Sequence, residues 1–282
     1  MNVQQSLVLG IIQGLTEFLP VSSTAHLILA HDLGAAPPSE HAHTFDTFIQ
    51  IGTVFPVLLY FWRDWLELGR AAVRVARRGV RFTSDKHERM VLLLIIGSIP
   101  AGVLGLLLEK YIEPLADPAN VTAKLLIGCA LIGVGILMLW AERTSAQNRG
   151  TSRIGPADAL IVGLAQASAL FPGVSRSGAT ITAGLVVGLT REAAARFSFL
   201  LMTPVMFAAT GYKGFKVLRG IEPLSAGEWQ SMLIATVVAA ITGYFAIAFL
   251  IGWLRTRSLG FFALYRFAVG AWAIGLYFMQ RP

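Results

Sequence analysis

The chain has 282 residues, 55% of them hydrophobic and only 14% charged, a balance that excludes an ordinary soluble domain and places it among polytopic membrane proteins. A formal net charge of +7 raises nucleic acid as a partner, but the basic residues gather in loops beside apolar runs, where the positive-inside rule puts them. Nucleic acid is therefore set aside, and membrane lipids take its place.

The N-terminal MNVQQSLVLG lacks the basic region of a cleavable signal peptide and is expected to be kept as structure. Residues 3 to 34 are apolar but interrupted by Pro20 and polar neighbours. Each half is short for a crossing, so the stretch reads as a re-entrant helix-loop-helix hairpin whose broken middle must be enclosed by protein. In QGLTEFLPVSSTAH, Gln13 and Glu17 stand one helical turn apart on a helix that Pro20 ends. Ser22 is a plausible N-cap for the next helix, and Ser23 and His26 share a face of it. His31, His41 and His43 follow in a loop region and are expected in solvent, with a spacing that makes a poor metal signature.

Six apolar runs have the length of a bilayer crossing: Phe45 to Trp62, Met90 to Leu108, Leu125 to Ala141, Phe197 to Tyr212, Met232 to Leu254 and Phe261 to Met279. Asp46 and Gln50, at the start of the first, read as interfacial. Between Trp62 and Met90 lies a connector, residues 63 to 89, with eight Lys/Arg against four Asp/Glu, expected to be cytoplasmic and to lie against anionic headgroups. Crossing outward puts the acidic EKYIEPLADPAN outside, and crossing back puts Arg143, Arg149 and Arg153 inside. Cys129, mid-span, reads as a small core residue and excludes an internal disulfide. Tyr265 and Arg266, within the last run, can reach a cavity or snorkel to its edge.

Residues 157 to 190, broken at Pro172 and Gly173, read as a second re-entrant hairpin. LVLGIIQGLTEFLPVS from Leu7 and LIVGLAQASALFPGVS from Leu160 match identically at six of sixteen positions, at an offset of 153. Three spans follow each copy, so the second must enter from the opposite side. That is the arithmetic of an inverted-topology repeat, about 1–141 and about 154–282, within one membrane domain of 1–282, and it leaves both termini outside. The predicted fold is an all-α polytopic membrane protein with about six transmembrane helices and two re-entrant hairpins. In the second hairpin, GVSRSGAT offers Gly173 for close backbone approach, Ser175, Ser177 and Thr180 as hydroxyls, and Arg176 as a planar charged fork suited to phosphate oxygens. Together the hairpins supply a phosphate cradle with an acid, a base and a nucleophile, although Glu17 and Arg176 could also neutralise each other.

QGLTEFLPVSSTAH, followed by FPGVSRSGATIT, resembles the undecaprenyl-diphosphate phosphatase family of bacterial inner membranes, the family linked to bacitracin resistance. FDTFIQIG at Phe45, FSFLL at Phe197 and YRF at Tyr265 extend the resemblance over essentially the whole chain. It implies a multi-pass protein of the bacterial inner membrane that hydrolyses undecaprenyl diphosphate to undecaprenyl phosphate and inorganic phosphate, recycling the lipid carrier for peptidoglycan and other envelope polymers. Residue by residue, it assigns catalysis to Glu17, Ser23, His26 and Arg176, and substrate binding to Gln13, Ser22, Gly173, Ser175, Ser177 and Thr180. Many relatives have glutamate where this chain has Gln13, so one potential metal ligand or base is lost and Glu17 becomes the safer candidate for either role. A divalent cation, Mg²⁺ or Ca²⁺, is implied by the resemblance alone, with Glu17 as its ligand; a homodimer is left open.

The expected chemistry is charge neutralisation at the terminal phosphoryl group by Arg176 and the loop amides, with Ser23 attacking and His26 moving the proton; direct attack by His26 is the alternative. A reading from another class is a transporter or flippase of the polyprenyl phosphate, because inverted repeats and re-entrant hairpins are transporter architecture. Transport alone gives Ser23 and His26 no task.

Overall fold

The structure is a computed structural model that describes residues 2–34, 42–79, 81–116, 120–219 and 226–281. In chain order the helices are α1 (Val3–Phe18), α2 (Ser23–Asp32), α3 (Ala42–Tyr60), α4 (Trp62–Arg78), α5 (Lys86–Ile112), α6 (Val121–Thr144), α7 (Pro156–Ser168), α8 (Arg176–Val186), α9 (Arg191–Leu218), α10 (Ala226–Leu254) and α11 (Gly260–Gln280). Among the described residues, extended pairing is confined to one parallel bridge between Arg149 and Leu189.

Five helices are long and apolar enough to cross a membrane: Lys86–Leu108, Val121–Thr144, Arg191–Tyr212, Gly227–Leu254 and Gly260–Gln280. The chain is thus an all-α, multi-pass membrane protein. The run expected to cross from Phe45 lies in α3, where the described apolar stretch is Phe48–Tyr60, and it is not among the five. Its first turns are polar, and Asp46 there lies 3.7 Å from His31, whose side chain is only 6% exposed. The His31 side chain is therefore enclosed beside Asp46 rather than solvated; His41 lies outside the described residues. Cys129 also departs from expectation: it is exposed on the outer face of α6 instead of packed in the core.

Each of the two interrupted stretches folds as a pair of helices around a break, α1 with α2 and α7 with α8, and simple chemistry explains the breaks. Leu19 precedes Pro20 and takes the extended backbone that proline imposes on its predecessor, φ −66° and ψ 142°, which ends α1. Ser22 then caps α2 from φ 76°, its hydroxyl accepting from the Ala25 amide at 3.4 Å. In the second hairpin Ser175 caps α8 from φ 73°, accepting from the Gly178 amide at 3.1 Å. Gly173 supplies the turn at φ +90°, where an added Cβ would lie 2.7 Å from the Ile127 carbonyl oxygen, so only glycine fits.

The helices are drawn together by small residues. α1 packs on α10, α7 on α5, α6 on α11, and α3 on both α9 and α10. A Cβ on Gly14 would lie 2.5 Å from the Ala239 carbonyl oxygen, and one on Gly163 would lie 2.3 Å from that of Gly97, so backbones touch where lipid offers no hydrophobic force to hold helices together.

Polar contacts collect at two ends. At one, Arg149 pairs with Asp158 at 2.6 Å, Arg191 with Glu142 at 2.7 Å and Arg196 with Asp64 at 2.6 Å, while Arg89 donates to the Ile154 carbonyl at 2.7 Å. The connector, the α6–α7 loop and both ends of the second hairpin therefore lie together. At the other end Lys124, at the start of α6, pairs with Asp32 at 2.8 Å and donates to Gln280. Leu9, Ala30, Phe45 and Met232 share one buried cluster on that side, so both arms of the first hairpin lead there. The breaks of the two helix pairs meet, Ser177 donating to the Leu19 carbonyl across them.

Candidate active site

Helix α1 carries Gln13 and Glu17 on its buried face, 0% and 6% exposed. Gln13 Nε2 donates to Glu17 Oε2 at 3.0 Å, and Ser23 Oγ donates to the same oxygen at 2.7 Å from across the Pro20 break. One carboxylate oxygen thus gathers an amide and the hydroxyl of the proposed nucleophile. The one oxygen of that amide, Gln13 Oε1, is buried with no hydrogen-bond partner.

His26, one turn into α2, turns away from Ser23. Its Nδ1 lies 2.7 Å from the Ser22 carbonyl oxygen and its Nε2 lies 2.8 Å from the hydroxyl of Tyr265 on α11. The Ser23–His26 hydrogen bond that a serine–histidine pair would use is absent here, and the group that holds the Ser23 proton is Glu17.

The second hairpin meets this cluster through Ser177, fully buried, whose hydroxyl donates to the carbonyls of Leu19 at 3.0 Å and Glu17 at 3.3 Å. Thr180 donates to the Arg176 carbonyl at 2.7 Å and lies 2.5 Å from the Ser198 hydroxyl. The hydroxyls of Ser22, Ser175, Ser177 and Thr180 are therefore engaged with the protein itself as caps and cross-links. Arg176, the first residue of α8, is different: its Nη1 is buried and unpartnered. No ion pair joins it to Glu17 among the described residues, contrary to the neutralising pair that the sequence left open. A buried cationic N–H without an acceptor is costly, and an anion would relieve it.

Arg266 is the residue that the sequence least prepares for. It is 0% exposed, and its guanidinium donates to five carbonyls: Gly173 at 2.9 Å, Leu131 at 3.0 Å, Val174 at 3.1 Å, Pro20 at 3.2 Å and Ala130 at 3.3 Å. It ties the breaks of both hairpins to α6. An arginine amid an apolar run was the available signal, since such a charge is expensive unless it is satisfied. Neither the cavity nor the snorkelling position describes it.

A cavity of about 410 Å³ lies elsewhere, at the basic end, lined by Asp64, Lys86, His87, Thr151, Glu192 and Arg196 among others. None of the residues singled out from the sequence lines it, and the chemistry described above lies at the hairpin turns.

Residues 6–272 match the family model described as Bacitracin resistance protein BacA. Among curated relatives, the undecaprenyl-diphosphatase of Anaeromyxobacter sp. (strain Fw109-5) is 45% identical over 280 residues, covering 96% of this chain and 86% of the relative. That of Syntrophobacter fumaroxidans is 42% identical over 277 residues, covering 96% and 95%, and that of Thermomicrobium roseum is 43% identical over 273 residues, covering 96% of each.

Proposed function

The chain belongs to the bacitracin resistance protein BacA family, and we propose from its site how it hydrolyses undecaprenyl diphosphate to undecaprenyl phosphate and inorganic phosphate. The activity is that named for its relatives, and it makes the protein a hydrolase of the bacterial inner membrane acting on a polyprenyl diphosphate lipid. The observation that carries the residue-level reading is the bond from Ser23 Oγ to Glu17 Oε2 at 2.7 Å, enclosed where the two hairpins meet. A hydroxyl held on a buried carboxylate is a nucleophile already joined to its base.

In this reading Ser23 Oγ attacks the terminal phosphorus, its proton passes to Glu17, and undecaprenyl phosphate leaves as the anhydride P–O bond breaks. Water then attacks the phosphoserine, its proton going to the His26 side and on to solvent, while the departing Ser23 oxygen recovers its own proton from Glu17 as phosphate leaves. The unpartnered Nη1 of Arg176 supports its assignment to the phosphoryl oxygens, where it would neutralise the charge that spreads over them. Gly173, Ser175, Ser177 and Thr180 would act by shaping this cradle, because their hydrogen bonds and backbone hold the turn that presents Arg176.

The divalent cation implied by the resemblance stays a proposal. Among the described residues no group of three or more His, Cys, Asp or Glu comes together. The candidate ligand atoms around Glu17 are nonetheless oxygens, Ser23 Oγ and, once the Gln13 amide turns its Nε2 away, the orphaned Gln13 Oε1, a set that would suit Mg²⁺ or Ca²⁺ with substrate oxygens beside it. Glu17 and Gln13 would hold the ion, and it would add positive charge at the phosphoryl group.

The inverted repeat is likewise supported by several particulars. Ser22 and Ser175, aligned at the offset of 153, share a positive φ and the same capping bond. Gln13 and Gln166, aligned by the same offset, are both buried with unpartnered amide atoms. The transporter reading has no such particular in its favour. Purified protein in detergent, given undecaprenyl diphosphate with Mg²⁺ or Ca²⁺, should release inorganic phosphate; absence of release with either ion would overturn the reading.

A further inference from the structure

The bonds around His26 determine which of its nitrogens carries the proton. Nδ1 faces the Ser22 carbonyl, and a carbonyl only accepts, so Nδ1 must donate. In the neutral ring Nε2 is then the lone-pair nitrogen, the atom through which His26 would take a proton from water. That atom lies 2.8 Å from Tyr265 Oη, so the phenol donates to it, and the two rings lie 4° from parallel with centroids 5.6 Å apart. The one lone pair of Nε2 is thus engaged, so a proton from water reaches it through the phenol, which passes its own proton to Nε2 and takes the incoming one in exchange.

Tyr265 does not reach this position by chance of rotamer alone. The next residue, Arg266, locks α11 to α6 and to both hairpin breaks through its five carbonyls, so the rotation of α11 at Tyr265 is set by the same contacts that assemble the site. Because Ser23 gives its hydroxyl proton to Glu17, the His26–Tyr265 pair is a second, separate proton-handling unit beside the first. Tyr265 is 40% exposed, so the pair is not sealed off from an incoming group.

We propose that Tyr265 hands the water proton to His26 in the phosphatase reaction: its hydroxyl holds the His26 ring in the tautomer that leaves Nε2 unprotonated, and it passes its own proton to Nε2 as it takes one from water. The inference rests on the assignment of His26 to the site made above. It also predicts that Tyr265 acts only through His26.

The test is a cycle of four purified proteins: wild type, Tyr265→Phe, His26→Ala and the double variant, assayed for kcat and KM on undecaprenyl diphosphate. Phenylalanine keeps the ring and its packing and removes only the hydroxyl. Tyr265→Phe should lower kcat about tenfold, the rate equivalent of one hydrogen bond, and leave KM within about twofold. In the His26→Ala background the same change should do nothing further. An undiminished kcat, an effect confined to KM, or an equal loss in both backgrounds overturns the proposal. The ¹⁵N resonances of the His26 imidazole give a readout independent of turnover: Tyr265→Phe should move Nε2 and leave Nδ1 protonated, and an unmoved Nε2 contradicts the pairing. A wild-type protein that releases no phosphate, or a fully active His26→Ala, would instead defeat the underlying site assignment, and the Nε2 shift would still decide whether the pair exists.

Discussion

Replacing Arg266 by methionine removes the strut and keeps most of the side-chain volume. The carbonyls of Ala130 and Leu131 lie within α6, where helical amides can still serve them. Those of Pro20, Gly173 and Val174 have no other hydrogen bond among the described residues, so methionine strands three carbonyls, those of Pro20 and Gly173 buried and that of Val174 partly so. At about 1–2 kcal/mol for each unsatisfied group, the loss is about 3–6 kcal/mol, enough to lower an unfolding temperature on the order of 10 °C in a protein of this size. Lysine keeps the charge and has three donors, so Arg266→Lys should lie between wild type and methionine. The assay is the fraction of monodisperse protein surviving a heating series in detergent, run beside phosphate release. Wild-type survival for Arg266→Met would refute the strut, and lost turnover with unchanged survival would mean that Arg266 serves the substrate instead of the hairpins.

Arg176→Ala should lose roughly a thousandfold or more in turnover and Arg176→Lys somewhat less, since lysine keeps the charge without the planar fork, and both should survive heating as wild type does; a fully active alanine variant removes Arg176 from the site. Ser23→Ala, Glu17→Ala and His26→Ala should each insert, bind lipid diphosphate and lose most turnover, with near-normal rates for Ser23→Ala shifting the nucleophile to His26. Gly14→Leu should force α1 away from α10, because its Cβ meets the backbone at Ala239 and Gly243, and should lower survival on heating by a few degrees or more together with activity; unchanged survival would show that the two helices yield.

What the sequence determined by itself is local. Long apolar runs identify spans, Pro20 and Pro172 with Gly173 identify breaks, and serine before a new helix identifies caps, because each of these effects acts within a turn or two of its own residue. The self-similar stretches place the two breaks in corresponding positions, and the long motifs carry the family. The outward face of Cys129 was harder to read, since periodicity in a mostly apolar chain does not say which side meets lipid. Only tertiary structure decided the partners. His26 meets Tyr265 across 239 positions, Ser177 meets Leu19 across 158, and Arg266 meets Pro20 across 246. The competition for the Ser23 proton was decided there too: His26 lies three residues from Ser23 and Glu17 six, yet the direction of the chain at the Pro20 break turns Ser23 towards the carboxylate while α11 holds the imidazole. A sequence names the groups available for such bonds, but the helix packing that brings one within 3 Å and leaves another out of reach exists only once α1, α6, α8 and α11 have closed around the two turns.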